Sequence, residues 1–140
     1  MNGKTIKELA IELTIEVTGI CDNITNRKVY TNQLMRSCSS IGANSHEAKY
    51  AQSRADFIHK MEIALKECYE TEYWLEVLFG VKAIDEETFI TLNNKCGTIR
   101  RKLIASITTA KNAKPQRYKF LREFAICAKA RDILSVRYVP

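Results

Sequence analysis

The chain has 140 residues, of which 46% are hydrophobic and 27% charged, with 22 lysines and arginines against 16 aspartates and glutamates for a formal net charge of +6. That length supplies one domain able to close a core without disulfide or metal staples, and only 5 glycines and 2 prolines exclude a collagen-like or low-complexity polymer. No apolar run approaches the ~20 residues that cross a bilayer, and Glu8, Glu12 and Glu16 interrupt the N-terminal segment where a signal peptide would be apolar, so the sequence reads as cytoplasmic.

No proline precedes Pro115, and apolar residues recur at three- and four-residue steps, so the pattern predicts helices. The first spans about Thr5 to Cys21 on a stripe of Ile6, Leu9, Leu13, Val17 and Ile20. The second, about Thr31 to Tyr50, has a middle of small residues from Ser37 to Ser45; such a run forms a helix poorly alone and suits a place where another backbone comes close, with Gly42 and Ala43 at the contact. The third, about Arg54 to Phe79, carries a heptad seam of Phe57, Met61, Ala64, Cys68, Thr71, Leu75 and Leu78, widened by Leu65, Tyr69, Trp74 and Phe79. Gly80 fits its C-cap, and Asp85 fits the N-cap of a fourth helix with Phe89, Leu92, Cys96, Ile99, Leu103 and Ala110 at heptad steps and Ile107 beside them.

Short turns near Asn23–Lys28, Ala51–Ser53 and Gly80–Ile84 join these segments, which predicts an all-α, up-down-up-down four-helix bundle over residues 1–114. Residues 115–140 read as a basic C-terminal extension. There Phe120, Leu121, Phe124, Cys127, Ala128 and Leu134 share one side of a helical pattern and six basic residues cover the rest.

Few residues suggest chemistry. Cys21, Cys38, Cys68, Cys96 and Cys127 are odd in number and widely spaced, so they read as reduced core residues rather than a disulfide framework or zinc site. His46 and His59 lack the Glu-x-x-His spacing of a di-iron bundle, and no phosphate-binding Gly-rich loop or nucleophile elbow is present. We therefore expect no catalytic residues, no metal, no cofactor and no enzyme activity. Glu70 and Glu72, among Tyr69, Tyr73 and Trp74, read as partners in ion pairs between helices or subunits, with Arg36, Lys66 or Asn44 as candidates.

Charge is the informative feature. Residues 1–99 hold 11 basic and 14 acidic side chains, whereas residues 100–140 hold 11 basic and only 2 acidic ones, Glu123 and Asp132. A strongly positive end in helical context, with Tyr118, Phe120 and Phe124 interleaved, points to a polyanion. The expected phosphate contacts are Arg100, Arg101, Lys102, Lys111, Lys114, Arg117, Lys119 and Arg122, binding RNA or DNA without sequence preference. Tyr69, Tyr73, Trp74 and Leu78 are too many apolar side chains to leave in water, which predicts a closed cyclic homo-oligomer. The competing reading is a scaffold that docks a partner enzyme without touching nucleic acid, and neither reading involves a membrane.

The run from Gln33 through Met35-Arg36-Ser37-Cys38-Ser39-Ser40-Ile41-Gly42-Ala43-Asn44 to Glu47-Ala48, and the run Gln52-Ser53-Arg54-Ala55-Asp56-Phe57-Ile58-His59-Lys60 continuing to Glu70-Thr71-Glu72-Tyr73-Trp74-Leu75, resemble the family of small four-helix bundle proteins encoded in intervening sequences of 23S rRNA genes. Relatives of that family include the accessory variability determinant (Avd) of diversity-generating retroelements. The resemblance covers about residues 5–112. It implies a homopentameric assembly and, through the Avd branch, nucleic acid and a reverse transcriptase as partners. It brings no catalytic residues, and the Asn and Glu of its signature fall on Asn44 and Glu47, to which we assign structural roles.

Overall fold

Four helices in chain order make up most of residues 3–113, the part that this computed structural model describes: α1 (Ile6–Asp22), α2 (Lys28–Ala48), α3 (Arg54–Gly80) and α4 (Glu86–Asn112). The described residues up to Ala110 form one compact unit.

The helix starts follow from local hydrogen bonding. Thr5 closes a capping box on α1: its hydroxyl accepts from the Glu8 N–H at 3.2 Å, while the Glu8 carboxylate accepts from the Thr5 N–H at 2.7 Å. Ser53 caps α3 through the Asp56 N–H at 3.1 Å, and Asp85 caps α4 through the Thr88 N–H at 2.8 Å. Gly80, expected as a C-cap, is instead the last residue of α3, and the left-handed position falls two residues later on Lys82, at φ 55°. The chain closes there with a Schellman turn, the Ala83 N–H donating to the Leu78 carbonyl at 2.8 Å.

Contacts between elements fix an antiparallel register around the ring. Thr14 meets Cys38, Ser37 meets Thr71, Cys68 meets the Cys96 carbonyl, and Lys95 pairs with Glu16. Each helix turns one apolar stripe inward: Leu13 and Val17 from α1, Leu34 and Ile41 from α2, Met61, Leu75 and Leu78 from α3, and Leu92, Ile99, Leu103 and Ile107 from α4 are all buried.

The small residues of α2 shape the spacing. α2 lies closest to α3 and next closest to α1, whereas α4, armed with Leu and Ile, stands further off. A Cβ on Gly42 would lie 3.4 Å from the Ala10 Cβ of α1, so this is a close approach of two backbones. Ala43 departs from expectation: it is exposed on the outer side of α2, because one helical step of about 100° carries it away from α1. Ser37 and Thr71 are buried polar groups that satisfy each other and the backbone. Ser37 donates to the Leu34 carbonyl at 3.2 Å, and Thr71 shares its proton between Ser37 Oγ at 3.0 Å and the Glu67 carbonyl at 2.8 Å.

Candidate nucleic-acid interface

Side chains on a helix lean toward its N-terminus, over the residues three and four positions earlier. On α4 this lays both Arg100 and Arg101 over Gly97. The terminal nitrogens Nη2 of Arg100 and Nη1 of Arg101 come within 3.9 and 3.5 Å of the point where a Gly97 Cβ would stand. Arg101 is exposed and anchored by an Nη2 donation to Thr98 Oγ1 at 3.0 Å. Arg100 is half-buried. Its guanidinium lies over the Tyr69 ring, 5.5 Å from the centroid, and its Nε is 3.2 Å from Glu72 Oε1. That nitrogen is buried yet makes no aligned hydrogen bond among the described residues, so proximity rather than direction holds the ion pair. Burial pushes the Glu72 carboxyl above its ordinary range, and the Arg100 charge opposes this only in part.

Lys102 is half-buried and runs to the start of the chain, its Nζ 4.0 Å from a Cβ placed on Gly3; Lys111 is exposed at the end of α4. Lys102 therefore points away from the Arg100–Arg101 pair, and the three consecutive basic residues do not form one flat patch. Arg100, expected as a free phosphate contact, is already engaged by Glu72 and Tyr69. Lys114, Arg117, Lys119 and Arg122 lie outside the described residues. Residues 3–113 carry 15 basic and 14 acidic side chains, so most of the positive excess belongs to the sequence beyond them.

The residues assigned to structure gather between α2 and α3. Arg36 pairs with Glu70 and, at 3.3 Å, with Glu67. The Arg36 guanidinium holds the Glu70 carboxyl below its usual range, helped by the Trp74 Nε1–H, which donates to Glu70 at 3.2 Å. Trp74 stacks on Tyr30 at 6.0 Å and meets the edge of Tyr73 at 4.9 Å. Glu47 pairs with Lys60 across the same two helices. The Asn44 amide turns back to the Ser40 carbonyl at 2.9 Å, a bond within its own helix. Tyr69 and Tyr73 remain 49% and 56% exposed, and Ile11 and Ile15 present a second apolar stripe on α1. Leu78, expected with them at the surface, is fully buried because it falls on the α3 seam; Phe79 beside it stacks on Phe89 at 4.7 Å.

Each helix contributes one buried free cysteine: Cys21, Cys38, Cys68 and Cys96. Burial pushes the Cys21 and Cys38 thiols up to about 11, and a hydrogen bond with Cys68 together with burial pushes Cys96 up further, so Cys21, Cys38 and Cys96 stay protonated and are poor nucleophiles. Among the described residues no group of three His, Cys, Asp or Glu side chains is placed to hold a metal ion. None of the described helices is long and apolar enough to cross a membrane. An open hollow of about 640 Å³ lies at the opposite end of the bundle, lined by residues 25–30 and Val81.

Residues 4–105 match the family model described as 23S rRNA-intervening sequence protein. Among solved structures, the chain is similar to a Bacteroides thetaiotaomicron protein of unknown function from the S23 ribosomal protein family. The two are 42% identical, with a TM-score of 0.70, over 74% of this chain and 98% of that one. No curated protein matches this chain.

Proposed function

The chain belongs to the 23S rRNA-intervening sequence protein family, and from that premise we propose that it is a non-enzymatic, homo-oligomeric four-helix module that binds nucleic acid through phosphate contacts. The observation that carries this reading is the charge step along the chain, where residues 100–140 hold 11 basic and 2 acidic side chains. Repeated around a cyclic assembly, that step concentrates positive charge wherever the subunits bring it together, and a polyanion is the partner such a field attracts. The exposed Tyr69, Tyr73, Ile11 and Ile15 support assembly, since side chains of this kind seldom stay in water together. Five copies is the number the family resemblance suggests, and an accessory role beside a reverse transcriptase is the narrowest form of the reading.

The test compares the full chain with an Arg101/Lys102/Lys111→Ala variant and with a chain ending at residue 113. Retention of single-stranded RNA and DNA at low salt should fall in both. Unchanged retention in both would leave the scaffold reading, in which the exposed aromatics of α3 dock a protein. Light scattering at micromolar concentration should give a multiple of the 16.0 kDa chain mass, and a monomer mass would remove the assembly.

A further inference from the structure

We propose that the hollow beside the α1–α2 turn binds one nucleotide, its phosphate held by Arg27 and Lys28 and its base laid against Tyr30. The inference goes beyond the phosphate contacts proposed for α4 and the sequence after it. It adds a site that takes a base as well as a charge, at the end of the bundle where α4 begins rather than where it finishes.

The hollow offers about 640 Å³ of open space, inside the roughly 300–1,000 Å³ of small-molecule sites. Its charged lining residues are Arg27 and Lys28, and no carboxylate lines it. Among the described residues neither cation is ion-paired. The Arg27 Nη1 donates to the neighbouring Asn26 carbonyl at 3.0 Å, and Lys28 is exposed. Two adjacent positive charges on a concave wall, with no counter-charge in that wall, attract an anion.

The rest of the lining decides what the anion carries. Val29 is 72% exposed, Val81 is 38% exposed and Tyr30 is half-buried. A bare inorganic anion leaves these apolar surfaces in water, whereas a planar base covers them. Trp74 stacks on Tyr30 with the ring planes 24° apart, so the Tyr30 ring is set in place before a ligand arrives. A base beside Tyr30 extends an aromatic stack that already exists. The planar fork of the Arg27 guanidinium matches phosphate oxygens in pairs, and Lys28 adds a point charge on a flexible stem. A nucleotide is the ligand class that uses both halves of the lining at once, and it arrives either free or as an unpaired member of a strand.

Trp74 is the only tryptophan of the chain and touches Tyr30, so its emission reports on the hollow without a label. The experiment titrates the full chain with adenosine monophosphate, inorganic phosphate and a single-stranded oligoadenylate RNA, and measures RNA retention separately. Adenosine monophosphate should change Trp74 emission saturably, with inorganic phosphate at least fivefold weaker because it lacks the stacked base. Arg27/Lys28→Gln should weaken the nucleotide about tenfold or more. Val29→Glu places a carboxylate at an exposed lining position and should weaken it comparably. The control Lys49/Lys66→Gln removes the same charge from exposed positions elsewhere and should change affinity by less than about twofold. Thermal melts of each variant confirm that it folds. If RNA moves Trp74 in the same way, the nucleotide belongs to a strand; if RNA is retained without moving Trp74 while adenosine monophosphate does move it, the site takes free nucleotide. If neither probe moves Trp74, or if Arg27/Lys28→Gln matches the control, the site is overturned. RNA retention then decides the broader reading independently: retained RNA leaves it standing, and no retention removes it.

Discussion

Gly42 is where a single added side chain measures how closely α1 and α2 approach. A Cβ there would meet the Ala10 Cβ at 3.4 Å, the inner edge of ordinary van der Waals contact. Alanine therefore fits, and it gains about 1 kcal/mol of helix propensity over glycine. Leucine shares that backbone gain but pushes three more carbons toward α1, where overpacking costs about 1–3 kcal/mol. The comparison between the two variants cancels the propensity term and isolates the approach. For a bundle of this size 1 kcal/mol moves the melting temperature by roughly 3–6 °C. Gly42→Ala should melt a few degrees above wild type, and Gly42→Leu should melt below Gly42→Ala by about 3–18 °C, followed by helical circular dichroism. Equal melting temperatures for the two variants would show that α1 leaves room at this point, and the account of α2 as the close-packed helix would fail.

The strained turn after α3 gives a second expectation. Lys82 adopts φ 55°, so Lys82→Gly should raise stability by about 0.5–1 kcal/mol, read from chemical denaturation, and a loss would mean that the Lys82 side chain contributes more than its backbone costs. Two of the α3 carboxylates, Glu70 and Glu72, should respond oppositely to acid. Glu70 is depressed by Arg36, so its stabilisation is present above the unfolded carboxylate pKa and is lost as pH falls through its lower folded value; Glu70→Gln should destabilise at pH 7 and lose that effect once acid has protonated the wild-type carboxyl. Glu72 is raised by burial, so its ionisation in the fold is unfavourable; Glu72→Gln should hold or raise the melting temperature at pH 7, with the difference vanishing once acid has protonated the wild-type carboxyl. Identical pH profiles for the two variants would contradict both assignments.

How much the sequence disclosed depended on how strongly each feature was encoded. The α3 seam was legible almost residue by residue: Met61, Ala64, Cys68, Thr71, Leu75 and Leu78 all turn inward, because a heptad repeat sustained along one helix leaves little freedom of phase. That same phase puts Leu78 in the core rather than at a subunit interface. The phase of α2 was weakly encoded. Ser, Cys, Gly and Ala differ little in hydrophobicity, so the run announced a close approach without saying that Gly42 meets α1 while Ala43 faces outward.

At the candidate interface, the basic residues of α4 were visible as a charge step, but their partners were not. Arg100 and Glu72 meet only through the register between α3 and α4, which one helix at a time does not reveal. The sequence did carry a local sign of how these two arginines fold back. Gly97 precedes Arg100 and Arg101 by three and four residues, the spacing at which both side chains lie back over it.

The claim that this chain holds nucleic acid by its phosphates is tested most directly by the salt dependence of its affinity for single-stranded RNA and DNA. Each neutralised phosphate of a single strand contributes a slope of about −0.7 to the logarithm of the binding constant against the logarithm of salt concentration. With several basic residues from Arg100 onward engaged, the full chain should show a straight line of slope about −3 to −6, similar for RNA and DNA of different sequence. A flat line, or no binding at 50 mM salt, would contradict it.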